Sequence, residues 1–262
     1  LFMDELDYRN LGNKVIMITG TNGKSTTIML LCHILESLGY DVQIGGNLGN
    51  KCVLEFDLHQ SNRIFLIEMS SFQIALCPNI KPNIGILLNI TADHIDRHKN
   101  FENYKNIKFS MFAKQDINDF SIVENNTFQN FGSSESNLRG KIVLFAHLIS
   151  KPNDMLEVID KSRTESSTKY ELNEGIALNS KTNLANLAAC VACMQIMGHN
   201  WDEYSQALNN FQGLEHRVEL ATRLNKVSYI NDSKATNAAA SKGALQSFKN
   251  IFWILGGIEK CG

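Results

Sequence analysis

Val15-Ile-Met-Ile-Thr-Gly-Thr-Asn-Gly-Lys-Ser-Thr26 carries an apolar, β-branched run straight into a short loop with two glycines. Residues 15–19 read as a buried strand. From Lys24 to Leu38, apolar residues recur at helical spacing (Ile28, Leu31, Leu35, Leu38), and Gly39 is a natural stop. The loop between them is expected to cradle an anion. Gly20 and Gly23 let the backbone curl so that successive N–H groups turn inward, and the helix adds its positive end. Lys24 is placed to neutralise the charge of β/γ-phosphates, and Ser25 or Thr26 to hold Mg²⁺ through a hydroxyl. Ile18 stands where the first Gly of the pattern G-x-x-x-x-G-K-[ST] should be, so this is a shorter variant of that loop.

Outward from the loop, the alternation continues. Residues 64–67 and 84–88 read as buried strands, and 120–123 and 142–145 as further βα or edge units. Such alternation predicts an α/β fold: a mostly parallel sheet of the phosphate-loop type, flanked by helices. Residues 125–137 and 160–175 are polar and are expected to form loops and edge hairpins. Helices are expected over 183–197 and 201–211. Residues 227–230, a helix near 237–248 and an apolar run at 251–255 restart a βαβ pattern. They are expected to open a second, Rossmann-like α/β domain beyond a boundary near Gly213.

Composition narrows the function classes. Hydrophobic residues make up 44 % and charged residues 20 %, as in a globular protein with a real core. Lys+Arg 25 against Asp+Glu 27 leaves no overall basic charge to recruit nucleic acid or an anionic membrane. The six cysteines, at 32, 52, 77, 190, 193 and 261, form no secreted framework, so free thiols and a cytoplasmic setting are expected. No apolar stretch approaches a membrane span and no signal peptide is expected. A monomer is expected. The chain opens on Leu1 and closes on Gly262 directly after a strand-like run, and both ends are expected to be cut.

Further motifs follow strand ends, where open α/β folds place ligands. Glu68 closes the strand at 64–67, suited to hold a metal near the loop. The polar residues after it, Ser70-Ser-Phe-Gln73, suit a helix N-cap. Asn89-Ile-Thr-Ala-Asp-His-Ile-Asp-Arg-His98 gathers Asp93, His94, Asp96 and His98. His94 and His98 at i, i+4 could pass for a zinc pair, but no third ligand with zinc spacing follows, so Mg²⁺ is preferred; a polar loop capping a helix is the plain alternative. Cys190 and Cys193 lie in an apolar helix and read as core. Two polar clusters, Gly213-Leu-Glu-His-Arg217 and Asn231-Asp-Ser-Lys-Ala-Thr-Asn237, either cap helices or face a nucleotide.

In this order, G-T-N-G-K-S-T, E-M-S-S-F-Q, N-I-T-A-D-H-I-D-R-H, G-L-E-H-R-V-E and N-D-S-K-A-T-N resemble the Mur ligase superfamily. The second and last motifs are most similar to its D-glutamate-adding branch, and set the chain apart from sister Mur ligases and folylpolyglutamate synthases. Family members have three domains. The resemblance implies that 1–212 is the central ATP-binding domain and 213–262 the beginning of an incomplete C-terminal Rossmann-like domain, with the N-terminal UDP-binding domain absent.

The resemblance also implies roles. Gly20, Thr21, Asn22, Gly23, Lys24, Ser25 and Thr26 would bind ATP phosphates; Ser25, Glu68, His94 and Lys108 would bind Mg²⁺, with Lys108, in Tyr104-Lys-Asn-Ile-Lys108, carbamylated. Asn183, Asn186, His216, Arg217 and Asp232 would surround adenine, ribose and phosphate. Asn47 and Ser70 would meet the muramoyl substrate, and Lys234, Thr236 and Lys260 D-glutamate or the reacting phosphate. Lys24, His94, Lys108 and Arg217 would be catalytic. One departure is visible: Leu178-Asn-Ser-Lys-Thr-Asn183 replaces the family's L-x-G-x-H-N. The implied activity is ATP-dependent amide formation between UDP-N-acetylmuramoyl-L-alanine and D-glutamate through an acyl phosphate. The rivals are a nucleotide-binding module without ligase activity, a sister Mur or folylpolyglutamate-type ligase, and a P-loop switch protein.

Overall fold

A computed structural model describes residues 11–49, 51–131, 138–148, 155–161, 166–171 and 181–257. Its centre is an eight-stranded sheet built from β1 (Lys14–Thr19), β2 (Val42–Gly46), β3 (Ile64–Glu68), β4 (Ile84–Leu87), β5 (Phe120–Glu124), β6 (Lys141–Leu148), β7 (Met155–Asp160) and β8 (Ser166–Glu171). Their order is β2-β3-β1-β4-β5-β6-β7-β8; pairing is parallel through β6, and β7 and β8 add an antiparallel edge. The expected α/β fold is observed.

Apolar runs without polar alternation arise because helices cover both faces. Ile16, Ile18, Leu66, Ile86 and Ile122 point to one face, against α1 (Lys24–Ser37) and the later helices α6 (Lys181–Ile196) and α7 (Trp201–Leu208). Val15, Met17, Phe65, Ile67 and Val123 point to the other. There they meet α2 (Ser71–Leu76), α4 (Phe101–Ser110) and α5 (Asn125–Phe131); the short α3 (Ile95–His98) precedes α4. Cys190 and Cys193 are fully buried among the α6 residues, as their apolar setting predicts.

The chain reaches β1 first, moves outward to β2, returns through β3, and then crosses to β4 on the opposite side. The carboxyl end of β1 is thus a topological switch point, where flanking connections diverge and leave a crevice. Ile18 is in register with both Glu68 and Ile86, so the loop after β1 and the carboxylate closing β3 emerge side by side.

Two sequence expectations are corrected. Residues 125–131 form α5 rather than loop, because the Glu124 carboxylate accepts from the N–H groups of Asn126 (3.1 Å) and Thr127 (2.6 Å), while Thr127 and Phe128 are buried. The run at 251–255 is not a strand. Among the described residues no strand pairs with it, and Phe252 and Ile254 are each 96 % exposed. A strand at 219–224 was not expected: β9 (Glu219–Leu224) pairs antiparallel with β10 (Val227–Asn231) in a separate ribbon, followed by α8 (Ala238–Ser247). Among the described residues, no helix is long and apolar enough to cross a membrane.

Candidate active site

The loop after β1 enters α1 through Gly23, which has φ 89° and offers no side-chain cap to the helix. The first N–H groups of an α-helix lack internal acceptors. Residues 23–26 therefore present unpaired donors at the helix's positive end, the physical requirement for an anion site. The curl of the loop is narrower than the sequence implied. The N–H groups of Thr21 and Asn22 do not face the anion position. They donate to the backbone carbonyl and to Oδ1 of Asn89, each at 2.9 Å.

Two lysines converge on this loop. Lys24 Nζ donates to Gly20 O (2.9 Å) and Thr21 O (3.0 Å). Lys108, on α4 and only 1 % exposed, donates to the same Gly20 O at 3.0 Å and to Thr19 Oγ1 at 3.4 Å. Lys108 is therefore not a solvated surface residue. Burial lowers the pKa of Lys108 well below the ordinary lysine value; the nearby Lys24 charge adds to this and Asp93 opposes it. Lys24 is also lowered, chiefly by burial, with Arg217 acting in the same direction and Glu68 and Asp93 against. Tyr104, one turn before Lys108, lays its ring 4.8 Å from Lys108 Nζ; burial pushes its hydroxyl up to about 12.

A second cluster sits at the start of α1. Ser25 Oγ donates to Glu68 Oε2 at 2.8 Å, and Asn47 Nδ2 donates to Glu68 Oε1 at 3.1 Å. Arg217 Nη2 donates to Ser25 Oγ at 3.2 Å, bringing a guanidinium to the same point from nearly two hundred residues away. A buried carboxylate beside a hydroxyl is a hard oxygen donor pair, the chemistry Mg²⁺ prefers, so these residues fit that ion.

The remaining expected residues fall in several places. Asn186 is buried against Gly23 and Thr26 is buried in α1, while Asn183 lies half-buried in the first turn of α6. His94 takes φ 53° at the start of α3, its ring 5.0 Å from Phe72 and its Nε2 3.8 Å from Asp93 Oδ2. Among the described residues no three His, Cys, Asp or Glu side chains converge as a metal set. Ser70 caps α2, accepting from Gln73 N (3.2 Å) and donating to Gln73 Oε1 (2.9 Å). His216 and Asp232 lie in turn regions of the ribbon: Asp232 Oδ1 accepts from Val218 N, and His216 Nδ1 contacts Asn231. Burial raises the Asp232 pKa. Lys234 and Thr236 are exposed, and Lys260 lies outside the described residues. The sequence reading missed Thr19 as part of the site, and named Asn89, Asp93 and Tyr104 only within their motifs.

Residues 18–194, which include this loop, Glu68 and Lys108, match the family described as Mur ligase middle domain. The chain belongs to the Mur ligase family. Among its relatives are proteins named UDP-N-acetylmuramoylalanine--D-glutamate ligase. The one from Agrobacterium fabrum is 37 % identical over 253 residues, covering 94 % of this chain and 53 % of the relative. Those from Mesorhizobium japonicum (255 residues) and Bartonella henselae (263 residues) are each 38 % identical, with the same coverage. The chain thus spans about half the length of the curated relatives it matches. Solved Mur ligases share its fold. MurF from Thermotoga maritima, in complex with ADP, superposes with TM-score 0.69 at 16 % identity, over 94 % of this chain and 58 % of that one. MurC from the same organism gives TM-score 0.61 at 17 % identity, over 94 % and 56 %.

Proposed function

We propose that the chain is the nucleotide-binding part of an ATP-dependent ligase that joins D-glutamate to UDP-N-acetylmuramoyl-L-alanine in cytoplasmic peptidoglycan precursor synthesis. The observation that carries this is the convergence of Lys24 and Lys108 on one carbonyl, Gly20 O, beside unpaired helix N–H groups. The half-buried Lys24 at the positive end of the helix makes a site whose natural occupant is a polyanion. The names of the relatives support the substrate pair. In this reading, residues 213–262 open a C-terminal domain that carries Arg217, Asp232, Lys234, Thr236 and Lys260 to the nucleotide and D-glutamate.

The chemistry follows from what a carboxylate cannot do. It is a poor acyl donor at neutral pH. Its oxygen attacks the γ-phosphorus of ATP, the bond to ADP breaks, and an acyl phosphate results. The amine of D-glutamate then adds to the acyl carbon, phosphate leaves and the nitrogen loses a proton. Phosphoryl transfer calls on the protein mainly for alignment and charge. Lys24 and the N–H groups of residues 23–26 hold the phosphates, and Arg217 reaches the same point from the ribbon side. Asn47 and Ser70, just beyond the ends of β2 and β3, would meet the muramoyl chain. Ser25 and Glu68 would hold Mg²⁺, whose charge would offset that developing on the transferred phosphoryl group. His94 and a carbamylated Lys108 complete this proposal as ligands of a second ion. The depressed pKa of Lys108 favours the neutral amine that carbamylation requires: its nitrogen bonds to the carbon of CO₂ and releases a proton.

Product analysis tests the proposal. A chain carrying all three domains, supplied with ATP, D-glutamate and UDP-N-acetylmuramoyl-L-alanine, should form one amide and one ADP per turnover. ATP binding without amide formation favours the nucleotide-binding module instead. Lys108→Ala should lose nearly all activity and regain a useful part with acetate, which supplies the missing anionic oxygen. No response to acetate at matched ionic strength overturns the carbamate assignment.

A further inference from the structure

Residues 88–91, which follow β4, run alongside residues 19–22 and extend the pairing of β1 with β4 into the loop. Leu88 N donates to Thr19 O (3.0 Å) and Thr21 N to Asn89 O (2.9 Å). Where a regular ladder ends, the side chain of Asn89 continues it. Asn89 Oδ1 accepts from Asn22 N at 2.9 Å, and Asn89 Nδ2 donates to Asn22 O at 3.0 Å. One carboxamide therefore satisfies both polar groups of the Asn22 backbone, as a neighbouring strand would.

A second anchor holds the adjacent residue. Thr21 Oγ1 donates to Thr91 O (3.1 Å), since a carbonyl can only accept. Its lone pairs then accept from Thr91 N (3.0 Å) and from the Tyr104 hydroxyl (3.0 Å). This arrangement uses the full capacity of the threonine hydroxyl and fixes Tyr104 as a donor. With Thr21 and Asn22 both held, the loop cannot turn their N–H groups toward an anion. The turn at Gly23 is fixed, and the N–H groups of residues 23–26 are left as the anion-facing set.

We infer that Asn89 is a positioning residue for the phosphate loop, acting through the Asn22 backbone to aim the N–H groups of residues 23–26 at the phosphates of the nucleotide. This rests on the reading of residues 19–26 as a phosphate loop. It adds to that reading a residue that touches no phosphate yet sets phosphate affinity.

The test uses this chain and calorimetric titration with inorganic tripolyphosphate and, separately, adenosine. Asn89→Ala and the volume-conserving Asn89→Leu should each weaken tripolyphosphate binding by about tenfold, the scale of one lost hydrogen-bond pair. Adenosine affinity should stay at the wild-type value, and solvent exchange of the Asn22 amide should accelerate. Wild-type tripolyphosphate affinity in both variants overturns the inference. So does an equal loss of tripolyphosphate and adenosine binding, which marks a general loss of structure. Lys24→Ala is the control for the underlying reading. If it binds tripolyphosphate as well as wild type does, the phosphate-loop assignment itself fails, whatever the Asn89 variants do.

Discussion

Gly23→Ala separates two costs that usually arrive together. Gly23 and Gly39 have nearly the same backbone angle, φ 89° and 84°. An L-residue there is strained in both places, by about 1–2 kcal/mol. Their surroundings differ. A Cβ on Gly39 would meet nothing within 4 Å. A Cβ on Gly23 would stand closer than 3.0 Å to Asn186 Oδ1, with Asn186 Cγ at 3.2 Å and Leu88 Cδ1 at 3.3 Å. Asn186 is 3 % exposed, so it has little room to withdraw. Overpacking of this kind adds about 1–3 kcal/mol. Gly39→Ala should thus lose about 1–2 kcal/mol of stability, and Gly23→Ala about 2–5 kcal/mol. Urea unfolding of the two variants at 25 °C measures the difference, and tripolyphosphate titration should weaken only for Gly23→Ala. Adding Asn186→Ala to Gly23→Ala should recover part of the lost stability, because it removes the atom in the way. Equal losses at the two glycines, or no recovery in the double variant, would refute the claim that Asn186 is packed against the loop.

Lys108→Met should stabilise the fold at neutral pH while abolishing ligase activity in a chain with all three domains; Gly20 O keeps its bond from Lys24. The sign follows from linkage. The folded-state pKa of Lys108 lies below the unfolded value of 10.5, so between the two the unfolded chain holds a proton that the folded chain lacks. Wild-type stability therefore rises with pH across that window, at up to about 1.4 kcal/mol per pH unit, and Lys108→Met should remove this slope in urea titrations at stepped pH. Lys24→Ala in the three-domain enzyme should cut ATP turnover by about a hundredfold or more with little change in melting temperature, since it removes charge from the site and no core packing. Turnover near wild type in a folded variant would contradict its role. This chain alone should bind ATP weakly and yield no amide product by mass spectrometry, because remote binding energy from the uridine end of the substrate is lost.

The phosphate loop was legible because its evidence is local: hydroxyl, glycine and lysine types within eight residues, between an apolar run and a helical one. Other elements depend on partners elsewhere in the chain. β2 contains Gly45 and Gly46, poor strand residues, and is a strand because β3 lies alongside it from Val42 to Gly46. α5 carries three asparagines and a threonine in seven residues, and its start is held by a glutamate outside it. The run at 251–255 errs the other way, with strand-forming residues and no ladder beside them among the described residues. Asn89 and Tyr104 were named only within their motifs for the same reason. Each touches residues 21–22 across 67 to 83 positions of sequence, and no spacing rule spans that distance.

The place of β1 in the sheet bears on how the chain is made. β1 is first in sequence but central in space, paired with β3 on one edge and β4 on the other. Neither edge can close until residues 64–68 and 84–87 have been synthesised. At ribosomal rates of about 5–20 residues per second, the roughly 70 residues after β1 take on the order of 3–14 s. Until residue 68 is made Val15, Ile16, Met17 and Ile18 form an apolar strand with two open edges, and until residue 87 with one, a template for pairing with any other unfinished chain. Its inner face waits longer still, for α6 to arrive with Leu187, Ala188 and Val191. The segment that ends in the phosphate loop is thus the one most in need of a chaperone during synthesis, and its folding rate should be set by these long-range pairings rather than by the helix that follows it.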